Sequence, residues 1–288
     1  MLEIICNPTA GTGHGEKVGQ MIADALRQKG IAFHIQHTTR PGEATDMAVV
    51  AALSHAEAVY SVGGDGTALE VARGLVGTDT PLAIIPGGTG NDFIKTLGIP
   101  REPLAALEYI LSHPALPTDV GEINGQIFLN EIGTGFDVEV LTYAAKAKKF
   151  CRGLMPYLYG VVQTLFRFSG IPLTCIANGT APKQADAFVL SVANGGTIGG
   201  GIVISPEAKV DDALFDIVLI DKIKRANLLG RLVNLMKGKV LTFPETHHFR
   251  AKEISFSTPG MKVNVDGEII PMDEVHARIL PGALRIFR

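Results

Sequence analysis

Glycine in this chain is concentrated where short apolar runs end. Residues 2–6 run into the loop 7–15, NPTAGTGHG; residues 58–62 run into Gly63-Gly64-Asp65-Gly66-Thr67; and residues 82–85 run into 86–92, PGGTGND. Apolar runs this short, stopped by Gly, Asn and Asp, read as buried strands. The segments between them have a different period. Val18, Met21, Ile22, Ala25 and Leu26 form one helical stripe closed by Gly30, residues 31–37 read as a strand, and 43–54 and 68–75 read as helices. Strands alternating with helices over residues 1–118 predict a parallel sheet with helices on its faces. Ligands of such sheets sit beyond the carboxyl ends of the strands, and all three glycine loops fall at that edge.

After residue 117 the rhythm changes. Asn124-Gly125 between apolar stretches signals a hairpin, and short strands are expected at 171–177, 187–193, 214–220, 253–258, 261–265 and 275–280, with Pro259-Gly260 turning one pair. Helical stretches at about 137–168 and 224–237 interrupt them. The expected fold is therefore an N-terminal α/β domain with a parallel sheet, residues 1–118, followed by a mostly antiparallel β-rich domain, residues 119–288.

Composition narrows the function. Hydrophobic residues make up 46% of the 288 and charged residues 19%, enough for a core and against global disorder. With 26 Lys and Arg against 29 Asp and Glu, the net charge of -3 gives no basic excess to hold nucleic acid. Cys6, Cys151 and Cys175 are odd in number and widely spaced, suiting neither a disulfide framework nor a zinc site, and a reducing cytoplasm is expected. The first ten residues do not read as a signal peptide, and residues 153–166 are too short and too polar at their ends to span a bilayer.

The loops carry the chemistry. In Gly63-Gly64-Asp65-Gly66-Thr67 the glycines allow close approach of backbone to a phosphate, and the next helix offers free N–H groups. An Asp there would repel phosphate unless a divalent cation lies between them or it orients an attacking hydroxyl; the plainer reading is a helix-capping Asp in a tight turn. Gly88, Thr89, Gly90, Asn91 and Asp92 repeat the device one unit later, suiting phosphate and metal. None of the loops fits the P-loop pattern or a dinucleotide fingerprint in the right context.

On these residues the chain resembles the diacylglycerol kinase catalytic-domain family, which includes sphingosine, ceramide and bacterial soluble lipid kinases. The likeness runs through NPTAG near the start, TTRPGEA at 38–44, GGDGTALEVARGL at 63–75, PGGTGNDF at 86–93, GTGFDVEV at 133–140, GGG at 199–201, SPEAKVDDALFD at 205–216 and VDGE at 265–268. It implies a kinase using ATP and Mg²⁺ to phosphorylate a lipid hydroxyl, most readily diacylglycerol to phosphatidic acid, a step of phospholipid biosynthesis. By the same resemblance Asn7, Pro8, Thr9, Ala10, Gly11, Thr39, Gly63, Gly64, Asp65, Gly66, Thr67, Glu70 and Thr89 contact ATP. Asp65 is the aspartate at the transferring phosphoryl group and Glu268 the general base, since a carboxylate is ionised at neutral pH. Asp212, with the carbonyls of Lys209 and Leu214, holds a structural Mg²⁺. Ala213 stands there where the family usually has Gly, which strains the loop if that position needs positive φ.

Two other readings stay open at this point. Asn130-Glu131 matches a motif by which NAD kinases hold ribose, and a chain that binds nucleotide and lipid without turnover would keep the same loops. The acceptor is expected at a bilayer, which places the protein in the cytoplasm with a peripheral seat on the inner membrane surface and leaves room for a homodimer. Lys222, Lys224, Arg225, Arg231, Lys237 and Lys239, with Leu228, Leu229, Leu232, Val233, Leu235 and Met236 among them, suit a basic amphipathic helix on anionic lipid or a packed helix with a solvated face. Residues 144–152 are a second, weaker basic segment. His247-His248 reads as surface.

Overall fold

A computed structural model describes residues 1–147 and 155–288; Lys148, Lys149, Phe150, Cys151 and Arg152, part of the second basic segment, lie outside the described residues. The first half contains β1 (Leu2–Cys6), α1 (Ala10–Gln28), β2 (Phe33–His37), α2 (Glu43–Leu53), β3 (Ala58–Gly63), α3 (Asp65–Leu75), β4 (Leu82–Pro86), α4 (Phe93–Thr96) and α5 (Pro103–Ser112). The strands pair in parallel in the order β2-β1-β3-β4. The order reverses between β1 and β3, so the loops leaving their carboxyl ends flank a switch point, where open α/β sheets bind ligands. β3 and β4 are buried throughout, as a sheet covered on both faces requires.

The second half contains β5 (Ala115–Ile123), β6 (Gln126–Phe128), β7 (Glu131–Gly135), α6 (Phe136–Ala147), α7 (Met155–Arg167), β8 (Ile171–Ala177), β9 (Lys183–Ala193), β10 (Thr197–Ile198), β11 (Ile202–Val203), β12 (Phe215–Asp221), α8 (Leu228–Met236), β13 (Thr246–Ala251), β14 (Glu253–Ser257), β15 (Lys262–Val265), β16 (Glu268–Pro271) and β17 (Glu274–Phe287). All pairings among these strands are antiparallel. The expected fold class holds. β17 joins the halves: it pairs with β14 and β5, and its last turn of chain lies parallel to β4 through Ile286 and Leu82. Leu284 and Ile286 are accordingly fully buried in the first core. β5 itself spans the divide placed at 118/119.

Several local expectations need correction. β14 pairs with β8 and β17, so Pro259-Gly260 links two strands that are not partners. The helical stretch 137–168 is two helices, α6 and α7. Gly160 makes their crossing close, since a Cβ there would lie 2.3 Å from the Val140 carbonyl. The basic helix expected through 222–239 is only α8, flanked by 3₁₀ turns. Residues 246–251 form β13, a strand the pattern did not announce. His248 is not a free surface residue: its Nε2 lies 2.6 Å from Oδ1 of the fully buried Asp216.

Candidate active site

The three glycine loops meet at one edge, and much of the reason for glycine is that the loops touch each other. The Gly87 N–H donates to the Gly63 carbonyl at 2.7 Å. A Cβ on Gly88 would lie 2.4 Å from Gly64 Cα, and one on Gly11 would lie 2.7 Å from the Gly87 carbonyl oxygen. Asn7 ties the first loop to the second, its Nδ2 donating to Thr67 Oγ1 at 3.0 Å while its Oδ1 accepts from the Thr9 backbone and hydroxyl. Gly11, Thr12 and Gly13 lie at φ +57°, +57° and +91°, and the backbone stays open at Gly13 and Gly66, where a Cβ would meet nothing within 4 Å. Gly88→Ala is therefore expected to cost about 1–3 kcal/mol through backbone displacement, and Gly66→Ala less than about 0.5 kcal/mol. Urea unfolding of both variants checks this; equal costs would mean that the loops part freely.

Two of the expected nucleotide contacts are occupied by local structure. Glu43 Oε2 accepts from the Thr39 N–H and hydroxyl at 2.6 and 2.9 Å, and these bonds hold the Glu43 carboxyl below its ordinary range. Glu70 turns to the start of α2, accepting from the Ala44 N–H at 3.3 Å. Pro8 and Ala10 follow Asn7 round the first loop, and Thr89, exposed, is held by Arg101 through its carbonyl.

Asp65 opens α3, and its Oδ1 accepts from the N–H groups of Asp92 and Phe93 at 2.7 and 3.3 Å. It thereby locks the second loop to the third. Asn91, at φ +48°, closes the third loop on Gly88 through both ends of its amide. Asp92 Oδ1 receives Lys95 Nζ at 2.7 Å, and its Oδ2 receives the N–H of Gly200 at 2.7 Å. That last bond brings the glycine triplet of the second half onto the rim of the first. Burial first, then the Asp92 charge, pushes the Asp65 carboxyl above its ordinary value.

The second half contributes the hairpin β15–β16. Asp266 and Gly267 have φ +47° and +96°, the signature of a type I′ turn, and Val265 pairs with Glu268 across it. Glu268 is exposed at the start of β16. Asp266 is the reverse, its carboxylate accepting three consecutive N–H groups, from Leu129, Asn130 and Glu131, at 2.6, 2.9 and 2.9 Å. Burial pushes it up to about 6 despite those bonds, and Asp65 adds to the rise. Asp266 was noticed in sequence only as part of VDGE; its side chain, not its neighbour's, organises the turn.

Asn130 and Glu131, weighed as ribose ligands, are 9% and 3% exposed, and Asn130 Nδ2 donates to the Thr197 carbonyl. Both side chains lie in the interior, out of the solvent that a ribose would occupy. At the loop 209–214, Ala213 lies at φ +59°, its N–H donating to Asp119 Oδ2 at 2.7 Å. The strain foreseen there is real, and Ala213→Gly is expected to stabilise the fold by about 0.5–1 kcal/mol, read from the urea midpoint; a fall would show that no strain is stored. Asp212 Oδ1 accepts from Leu214 N–H, and its Oδ2 lies 3.7 Å from Arg250 Nη1. Arg250 also reaches Glu207 and Asp216, so part of this loop's negative charge is already balanced.

Comparison with known proteins gives a consistent pattern. The model of the diacylglycerol kinase catalytic domain matches residues 1–123, and that of the YegS C-terminal NAD kinase beta sandwich-like domain matches residues 130–288. A protein of Pseudomonas aeruginosa named "Probable lipid kinase YegS-like" is 33% identical over 95% of this chain and 91% of its own length. A "Diacylglycerol kinase" of Bacillus subtilis is 30% identical over 97% of this chain and 91% of its own length. Among solved structures, that of a diacylglycerol kinase from Bacillus anthracis superposes with a TM-score of 0.79 at 29% identity, covering 99% of this chain and 96% of that one.

Proposed function

Taking as premise that this chain belongs to the diacylglycerol kinase catalytic-domain family, we propose that it is a lipid kinase that transfers the terminal phosphoryl group of ATP to a lipid hydroxyl, with diacylglycerol as acceptor. The observation that carries the reading is the joining of the halves at the glycine-loop rim: Asp92, whose N–H bonds Asp65, accepts the Gly200 N–H of the second half at 2.7 Å, and that half presents Glu268 exposed on its hairpin. A pure binder has no use for an acid at the phosphate loops together with an exposed carboxylate on the second half.

In this reading the N–H groups of the first and second loops and of the start of α3 hold the phosphates. Asp65 and Asp92 would hold the Mg²⁺ that accompanies ATP. They suit it, because a divalent cation relieves the like-charge burial that raises Asp65. That ion would supply charge neutralisation on the phosphate oxygens. Lys95 orients Asp92, Gly200 closes the cleft onto it, and Glu268 Oε accepts the proton of the attacking hydroxyl. Asp212 with the Lys209 and Leu214 carbonyls would hold a second Mg²⁺; Asp212 Oδ2, at 3.7 Å from Arg250, is still able to take one.

A membrane acceptor has support from α7 and α8. Leu158, Tyr159, Val162 and Phe166 of α7 and Leu229, Val233 and Met236 of α8 are all exposed. The two helices are neighbours, since a narrow apolar gap is lined jointly by Leu165 of α7, Leu228, Leu232 and Leu235 of α8, and Phe136, Phe188 and Phe243. Exposed apolar stripes beside Lys224 and Lys237 suit an anionic bilayer. Lys222 and Arg231 contribute less to that surface, being paired with Asp186 and Glu245. No helix among the described residues is long and apolar enough to cross a membrane.

Incubation with radiolabelled ATP, mixed vesicles containing diacylglycerol, and NAD tests the proposal. Label is expected in phosphatidic acid. Label in the dinucleotide, or in neither, refutes lipid phosphorylation, and label in another lipid corrects the acceptor alone.

A further inference from the structure

Behind the Asp266 turn, three strands place a row of residues side by side: Asn264 of β15 pairs with Gly133 of β7, which pairs with Ser191 of β9. Residues directly opposed in a ladder share one face of the sheet, as do residues two apart on one strand. Asn264, Ser191 and Glu131 therefore surround the space above Gly133, and the first turn of α6 covers it with Asp137. A Cβ on Gly133 would lie 2.6 Å from Glu131 Oε1 and 3.4 Å from Asp137 Oδ2. Glycine here leaves a small closed pit into which two carboxylates converge.

The pit lacks partners for what it encloses. Both oxygens of Asp137 are buried and reach no partner in full hydrogen-bonding geometry, the Val138 N–H and the Asn264 side chain only facing them; the hydroxyl of the fully buried Ser191 is likewise unpartnered, facing Glu131 without reaching hydrogen-bonding geometry. The ion pairs formed among the described residues use other carboxylates. Two acids enclosed without a cation are costly unless something neutralises them. Burial, joined by the charge of Asp137, pushes Glu131 well above the usual carboxylate range, and burial pushes Asp137 to about 6.

We propose that this pit binds one hard cation of the Mg²⁺ class through Glu131, Asp137 and the Ser191 hydroxyl. An oxygen-only donor set with two carboxylates selects such an ion over softer metals. The site differs from the Asp65–Asp92 cleft and from the loop at Asp212. It is coupled to the cleft through backbone: the Glu131 N–H donates to Asp266 Oδ1, the Asp266 N–H donates to the Glu131 carbonyl, and Asn264 Oδ1 accepts from Gly267 N–H at 2.9 Å. An ion in the pit would brace the turn that presents Glu268.

The test uses the whole protein, stripped with chelator and free of nucleotide, with Mn²⁺ and then Mg²⁺ as probes. Wild type is expected to bind one equivalent of Mn²⁺ more than Asp137→Asn or Glu131→Gln, while Asp212→Asn and Asp65→Asn keep that equivalent. Ser191→Ala, which removes only a neutral ligand, is expected to weaken it about tenfold. Saturating Mg²⁺ should raise Tm in the wild type by several degrees more than in Asp137→Asn, whose metal-free Tm should already be higher. Anomalous scattering from Mn²⁺ should peak above Gly133. Equal stoichiometry in wild type and the Asp137 and Glu131 variants overturns the proposal and leaves the pit to a shared proton or a water. If Asp137→Asn fails to fold, Glu131→Gln and Ser191→Ala decide on the same readouts.

Discussion

Asp65→Asn is expected to lower kcat by about 10³-fold or more, the loss typical of removing a preorganised charge from a phosphoryl-transfer site. The effect is large because one side chain serves three ends. Asp65 starts α3, bonds the N–H groups of Asp92 and Phe93, and places its remaining oxygen beside Gly90. Asn keeps an acceptor for the two N–H groups and loses only the charge, so Tm should stay within a few degrees of wild type. Asp65→Ala removes the acceptor as well, and the stranded donors at the start of α4 should cost a further ~1–3 kcal/mol of stability. Near-normal turnover by Asp65→Asn in the vesicle assay would remove Asp65 from the mechanism.

Glu268→Gln comes next, with kcat expected to fall about 10²–10⁴-fold, the range for a lost general base. Its structural cost should be close to nothing. Glu268 is exposed, and the hairpin that carries it is set by Asp266, Gly267 and Asn264 instead. ATP affinity should be unchanged, because Glu268 sits on the half opposite the loops. Steady-state kinetics with nucleotide titration separates these effects. A variant with normal kcat would show that the base lies elsewhere, and weakened ATP binding with normal kcat would make Glu268 a ligand of the nucleotide.

The halves of the site were unequally legible. Asp65 and the loops around it announce themselves because a turn after a buried strand leaves few residue types possible, and glycine records the constraint directly. Glu131 and Asp137 were harder to see. They sit six residues apart with only Ile, Gly, Thr and Phe between them, where an acid is conspicuous, yet nothing in a single chain of letters says that Ser191 and Asn264 lie on either side of Gly133. Thr39 and Glu70 show the opposite difficulty: their positions suit a ligand contact, and in the fold Thr39 donates to the Glu43 carboxylate while Glu70 accepts from the Ala44 N–H, both at the start of α2. A hydroxyl and a carboxylate do either job with the same atoms.

What the letters alone settled was local: the alternation of periods, the switch from parallel to antiparallel construction, and the glycine turns at strand ends. Each is dictated by interactions within about a dozen residues. Register across distant strands was decided only by the folded chain, because side-chain period two lets β15, β7 and β9 slide in many ways that satisfy the same pattern. That register put Asn264, Gly133 and Ser191 in one row and sent β17 back to β4. Burial of apolar faces chose it. The acids were carried along, and their charges became a site because of where that packing left them.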